Sequence, residues 1–323
     1  MAGIDGTSET DGMDAVRQVD AGELNIGYTD RGPADGPPVL LLHGWPYDIH
    51  SFEGVVPALA GAGFRVVVPF LRGYGTTTFR HPGALRTGQP AALAADAIAL
   101  LDALGIEQAL VGGCDWGART TNILAALWPE RVRGQVTASG YLVAGQAANA
   151  NPLHPVDELT WWYQFYFATE RGRAGYDRYR DEFARLIWRT ASPRWDFDDA
   201  TFERSRPAFD NPDHVDIVIH NYRWRLGLAD GDPRLDEVEA RIAARPAIPV
   251  PAITLEGDAN GAFHLDPAAY RDRFTGRYEH RLITGGVGHN LAQEAPRAFA
   301  DAVLDVARMA DEAATRAEND RVG

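Results

Sequence analysis

The chain carries one cysteine, Cys114. That excludes an internal disulfide and leaves no thiolate metal centre. Long hydrophobic runs are missing too. No window reaches the roughly 18 uninterrupted apolar residues of a membrane helix, and the acidic, polar start lacks the apolar stretch of a secretory signal. Basic charge is scarce: 31 Lys and Arg against 45 Asp and Glu leave a formal net charge of −14. Nucleic acid and anionic membranes both recruit basic surface, so neither is expected as a partner. Internal repeats and low-complexity tracts are absent. A soluble, cytoplasmic protein is the expectation.

What is present suits a folded enzyme. At 323 residues and 45% apolar content, the chain can bury a substantial core. Residues 1–14 hold too little apolar surface to fold and read as a disordered tail. Strands are expected at Leu24–Thr29, Val39–Leu42, Arg65–Pro69, Gln108–Val111 and Val132–Ser139, with helices at Phe52–Ala60, Ala91–Leu104 and Gly117–Leu127. The alternation predicts a parallel sheet with crossover helices. From about residue 141 to 245 the pattern changes: buried strands vanish, aromatics and arginines crowd in, and helices are expected over Tyr176–Trp188 and Val215–Leu226. Strands resume at Ala252–Leu255 and Tyr278–Ile283, and a helix follows over Ala295–Met309. The expected organisation is an α/β core at 15–140 and 246–310, a helical cap at 141–245, and a frayed tail at 311–323.

The stretch around Asp115 draws the chemistry together. Leu110-Val111 leads into Gly113-Cys114-Asp115-Trp116-Gly117, and a helical run follows. Gly-x-Asp-x-Gly between a strand and a helix has the shape of a nucleophile elbow, a sharp turn that presents one side chain above the sheet. The plainer reading is that Asp115 caps the helix. A nucleophile needs a base, and His289, in the Gly-rich loop Gly285–Asn290 after the last strand, is the candidate. The order of nucleophile, then acid, then histidine suits this arrangement. At the end of an earlier buried strand stands His43-Gly44-Trp45-Pro46, where a glycine lets the backbone approach a ligand and the Trp45 N–H can point at an anion. His43 itself reads as a loop anchor. Arg72-Gly73-Tyr74-Gly75 is Gly-rich but lacks the helix signature of a nucleotide site. No cofactor or metal is expected.

Together these motifs resemble the α/β-hydrolase superfamily, and within it the epoxide hydrolases that use an aspartate nucleophile, over roughly residues 20–310. The resemblance implies an α/β-hydrolase fold, a mostly parallel twisted sheet flanked by helices with a helical cap inserted after the sixth strand. It implies opening of an epoxide to a vicinal diol through an ester on Asp115, hydrolysed by water that His289 activates. The Trp45 and Trp116 N–H groups would form the oxyanion hole. Cap tyrosines would protonate the ring oxygen. Tyr222 is the leading choice because Val215, Val218, Ile219, Tyr222 and Leu226 share one helix face. Tyr163 and Tyr166 compete for the second place, and Trp161 and Trp162 are expected to contact substrate. The acid that orients His289 matches Asn260, with Asp258 as the fallback. An asparagine there would slow ester hydrolysis. The expected substrate is a bulky hydrophobic or aromatic epoxide of secondary metabolism, reacting with water, and a homodimer is left open. Haloalkane dehalogenase is the near alternative. Fluoroacetate dehalogenases carry arginine where this chain has Trp116. A catalytically weak hydrolase retained for ligand binding is the alternative of another class.

Overall fold

The computed structural model describes residue 13 and residues 15–322, with side chains through residue 316; most of the expected N-terminal tail lies outside the described residues. Nine strands form one sheet: β1 (Arg17–Ala21), β2 (Leu24–Arg31), β3 (Pro38–Leu42), β4 (Arg65–Pro69), β5 (Thr78–Phe79), β6 (Ala109–Cys114), β7 (Val132–Ala138), β8 (Ala252–Gly257) and β9 (Tyr278–Ile283). Their order is β1-β2-β4-β3-β6-β7-β8-β9, with the two-residue β5 on β2. β1, β2 and β4 pair antiparallel; from β4 through β9 every pairing is parallel. The apolar runs decide which strands are central. β6 and β8 are buried at every position, and β3 and β4 at all but the first, as expected where helices cover both faces. β9, an edge strand, stays half-exposed.

Helices Pro90–Ala103, Trp116–Leu127 and Pro296–Val322 pack against this sheet. Gly105 follows the first of them at φ 65°, the left-handed conformation that ends a helix most cheaply on glycine. The expected helix over Phe52–Ala60 is two pieces, a 3₁₀ turn at Ile49–Phe52 and an α-helix at Val56–Gly61. Asp48 caps the first piece, and Pro57 suits the first turn of the second. The segment expected to fray from Asp311 onward is helical to Val322. Arg133 pairs with Asp311 and Arg277 with Glu312, so the core sheet holds the helix beyond its apolar stretch.

Between β7 and β8 lies the cap, with helices Pro155–Thr160, Trp162–Phe167, Glu170–Arg178, Arg180–Ala191, Asp199–Ser205, His214–Arg225 and Asp236–Ala243. Without the two-residue β5, β7 is the sixth strand. Buried polar bonds fasten the cap to the loop after β3. Trp188 Nε1 donates to Pro46 O at 2.7 Å, and Ser205 Oγ donates to Asp48 at 2.7 Å. Trp45 Nε1 donates to the Tyr176 hydroxyl at 2.8 Å. That hydroxyl lies 2.8 Å from His214 Nε2, and His214 Nδ1 lies 2.8 Å from Gly73 O. Burial pushes the His214 imidazole down to about 3, so its Nδ1–H donates to the carbonyl and Nε2 accepts.

This buried neutral histidine has a measurable consequence. The unfolded chain takes up a proton near the ordinary histidine value while the fold does not. His214 therefore costs no stability above that value, and costs progressively more as pH falls toward its folded one. From pH 7.5 to 5.0 the loss is about 2 kcal/mol. Urea unfolding of wild type and His214→Gln at both pH values should show the wild-type advantage shrinking by that amount; a constant difference would refute the neutral assignment.

Candidate active site

The site begins where β6 runs out. Asp115 follows its last residue with φ 53° and ψ −117°, a conformation that costs an L-residue about 1–3 kcal/mol and is kept where surroundings enforce it. Three glycines allow the turn. A Cβ on Gly113 would sit 2.4 Å from the Gly117 carbonyl carbon, one on Gly117 only 1.8 Å from Leu42 O, and one on Gly44 2.3 Å from Asp115 Cβ. β6, its helix and the loop after β3 can meet only because these side chains are missing.

Asp115 stands at the N-cap position of helix Trp116–Leu127, yet its side chain makes no capping bond. The carboxylate turns instead toward the loop after β3, where Oδ1 accepts the Trp45 N–H at 2.8 Å. Oδ2 lies 3.6 Å from His289 Nε2. Burial would raise this carboxyl, but the hydrogen bond and charge of His289 and the Trp45 and Trp116 N–H groups outweigh it and hold Asp115 below the ordinary aspartate range. The reciprocal holds for His289. Burial lowers it, while the Asp115 bond and charge, with smaller contributions from Glu256 and Glu294, bring it above its ordinary value.

The His289 loop is held by carboxylates on either side. Asp258 accepts from Gly285, Gly286 and Val287 N–H at 3.0, 2.8 and 3.0 Å. Glu294 accepts from Gly288 and Asn290 N–H at 2.6 and 3.1 Å and from Ser192 Oγ at 2.6 Å. The expected acid position reads differently in three dimensions. Asp258 is consumed by the loop backbone. Asn260 donates through Nδ2 to Glu256 Oε1 at 2.6 Å and accepts the Ala262 N–H at 2.9 Å. Neither side chain bonds to His289, whose buried Nδ1 has no hydrogen-bond partner. His43 is an anchor: Leu71 N–H donates to its Nε2 at 3.2 Å, and burial lowers it to about 4.

Above Asp115 and His289 opens a cavity of about 420 Å³, walled by Trp45, Leu159, Trp162, Tyr163, Ile187 and Ala262 among others. Tyr163 is on this wall. Tyr222 is fully buried behind it, with ring centroids 5.3 Å from Tyr163, 5.1 Å from Trp45 and 5.9 Å from Trp116. Burial and the Asp115 charge raise both phenols above the ordinary tyrosine value, so both are protonated donors at neutral pH. Tyr166 is turned away: its ring stacks on Phe183 and its hydroxyl lies over Gly175. Trp162 lines the cavity. Trp161 does not; it packs edge-on against Phe263 at 5.3 Å, beneath the Arg225 guanidinium.

Two charged residues escaped the sequence reading. Glu256, the penultimate residue of β8, is one. Arg119, one turn past Asp115, is the other. It is buried, with Nε and Nη2 unpartnered, and burial lowers it to about 10. Its charge bears on Asp115, Tyr222 and Glu239. The four-residue spacing on the elbow helix was the one available signal for Arg119.

A parallel sheet that presents a strained residue at a strand-to-helix elbow, faces it with a histidine from the loop after the last strand, and roofs both with helices is the plan of an α/β hydrolase; this one has a carboxylate at the elbow apex. Sequence comparisons agree. Residues 37–196 match the family of the alpha/beta hydrolase fold. A solved structure of a "putative epoxide hydrolase" from Klebsiella pneumoniae is 57% identical, with a TM-score of 0.92, covering 93% of this chain and 100% of that one. Epoxide hydrolase A of Mycobacterium tuberculosis is 27% identical over 320 residues, 91% of this chain and 97% of that protein. Epoxide hydrolase B of the same organism is 39% identical over 151 residues, 42% of this chain; the match spans 41% of that relative's length. The chain belongs to the α/β-hydrolase family, in the branch that holds these relatives. Among the described residues, no helix is long and apolar enough to cross a membrane.

Proposed function

We propose that the protein is an epoxide hydrolase working through a covalent ester on Asp115. The observation that carries this reading is the division of labour within one carboxylate: Oδ1 is held by the Trp45 N–H, while Oδ2 faces His289 and the cavity. An epoxide carbon is sp³, so the Oδ2 lone pair displaces the ring oxygen in one step. The departing alkoxide takes a proton from Tyr163 on the cavity wall, against which Tyr222 packs from behind, and becomes a hydroxyl. Neutral His289 then takes a proton from water, and the hydroxide attacks the ester carbonyl carbon. The Trp45 and Trp116 N–H groups donate to the oxyanion, where one such donor is worth about 2.7–4 kcal/mol of barrier. Collapse expels the diol oxygen as an alkoxide, which takes the proton of the new Asp115 carboxyl group; the diol leaves carrying one oxygen from Asp115, and the His289 proton returns to the tyrosinate.

Dehalogenation would use the same nucleophile and histidine, and a leaving halide wants N–H donors. The Trp116 indole is buried and is not on the cavity wall. The second indole, Trp45 Nε1, is committed to Tyr176, whereas the protonated phenol of Tyr163 lines the cavity beside the nucleophile, with Tyr222 packed behind it. That balance favours the epoxide. The apolar wall, with Val156 and Leu159 exposed at its rim, suits a bulky or aromatic epoxide.

Single turnover of excess enzyme with styrene oxide in H₂¹⁸O tests the mechanism. The first diol should be unlabelled and the label should appear in the Asp115 carboxylate. Labelled diol from the first turnover would exclude the ester, and halide release from a chloroalkane without diol from styrene oxide would reverse the choice of substrate.

A further inference from the structure

The arrangement around Asn260 points to an acid that no motif announces. We propose that Glu256, acting through the Asn260 amide, is the charge that positions His289 and stabilises its protonated form. The proposal rests on the ester mechanism above and names the group that its second step requires.

The argument is geometric. The end of β8 and the histidine loop are in direct contact: a Cβ on Gly257 would lie 2.3 Å from Val287 O and 2.7 Å from Gly288 O, and Ala259 N–H donates to Val287 O at 2.8 Å. Asn260 follows, next to Gly261 and Ala262, which line the cavity with His289. Its amide can be oriented only one way. The Ala262 N–H can only donate, so it faces Oδ1; the Glu256 carboxylate accepts, so it faces Nδ2. Oδ1 keeps a second lone pair, and His289 Nδ1 is buried without a partner. For Nε2 to act as a base, Nδ1 must carry the proton, and that N–H needs an acceptor. Catalytic hydrogen bonds that are open in a free enzyme commonly close once the intermediate forms. Closing this one gives a chain from His289 Nδ1–H to Asn260 Oδ1, and from Asn260 Nδ2–H to Glu256. The charged carboxylate strengthens the amide's hold by polarising it. Among the described residues, the other charged or titratable groups facing His289 are Asp115 on the elbow, Glu294 on the following helix and Tyr47, whose ring centroid is 6.4 Å away. Asp115 becomes a neutral ester in the second step. Glu294 already serves two loop N–H groups and Ser192. Of these carboxylates, Glu256 is the one joined to the Asn260 amide.

Glu256→Gln should leave the rate of ester formation with styrene oxide within about two-fold of wild type. Ester hydrolysis should slow by about 10³-fold, so that intact mass shows the alkylated enzyme dominating at steady state. The acid limb of the hydrolysis rate should also move to lower pH, because a negative charge near the imidazole is gone; a purely structural role would not move it. In the double variant Glu256→Gln/Asn260→Asp a carboxylate stands directly at the amide position, and hydrolysis should recover at least ten-fold. That variant also serves if the single one folds poorly. Wild-type hydrolysis with an unmoved pH limb in Glu256→Gln, or no recovery in the double variant, would overturn the proposal. Failure of the wild type itself to form an ester would instead remove the mechanism on which it rests.

Discussion

Asp115→Ala is expected to lose diol formation by about 10⁵-fold or more, with no ester detectable by mass, because the proposed mechanism makes Asp115 the group that attacks the substrate. The fold should survive. The Asp115 carboxylate does not cap its helix, and the turn is set by Gly44, Gly113 and Gly117, which clear the space around it. Removing a side chain from a half-buried, charged and strained position also relieves the partial desolvation of its carboxylate. Thermal unfolding should therefore match wild type or rise slightly while turnover disappears. Turnover persisting within ten-fold of wild type would mean that water attacks the epoxide directly and that Asp115 has another role.

His289→Gln should separate the two steps. Ester formation needs Oδ2 and a protonated phenol, neither of which is His289, so substrate should be consumed once per enzyme. Hydrolysis of that ester should fall by about 10⁴-fold or more, leaving a stable adduct of enzyme plus one substrate. The wild-type pH dependence adds a sharper expectation. In the free enzyme the Asp115 charge brings His289 above the ordinary histidine value against the downward pull of burial. Esterification removes that charge. Burial then weighs more heavily, and the imidazole loses its proton more readily. A base must be neutral, so hydrolysis rises as pH increases through the His289 value. That rise should fall at lower pH in the ester than the titration of His289 in the free enzyme, followed by NMR. Formation of the intermediate thus frees the base needed to destroy it. Coincident values in the two states would show that Asp115 does not govern His289.

The parts of the site that were legible in sequence were those carried by backbone. Glycines around Asp115 mark a turn that no side chain could enter, and buried apolar runs before His43 and Asp115 mark parallel strands ending at one edge. His289 was legible because it follows the last such strand. Side-chain partnerships were not. Gly257-Asp258-Ala259-Asn260 follows the spacing of an acid loop, yet Asp258 is drawn off by three backbone N–H groups and Asn260 by Glu256. Tyr163 and Tyr166 are adjacent candidates in one aromatic run, and only packing sends one to the cavity and the other onto Phe183 and Gly175. Trp161 and Trp162 divide in the same way.

The sequence by itself determined the strand–helix alternation, the elbow and its apex residue, the histidine and the aromatic insertion. Each is specified locally, by hydrophobic period, by glycine, or by position relative to a strand end. Only the tertiary structure decided which carboxylate oxygen is free, which tyrosine meets the cavity, that Arg119 lies buried, and that Glu256 holds the Asn260 amide. Those outcomes depend on which buried polar groups compete for the same hydrogen bonds, and that competition begins only when residues far apart in the chain are packed together.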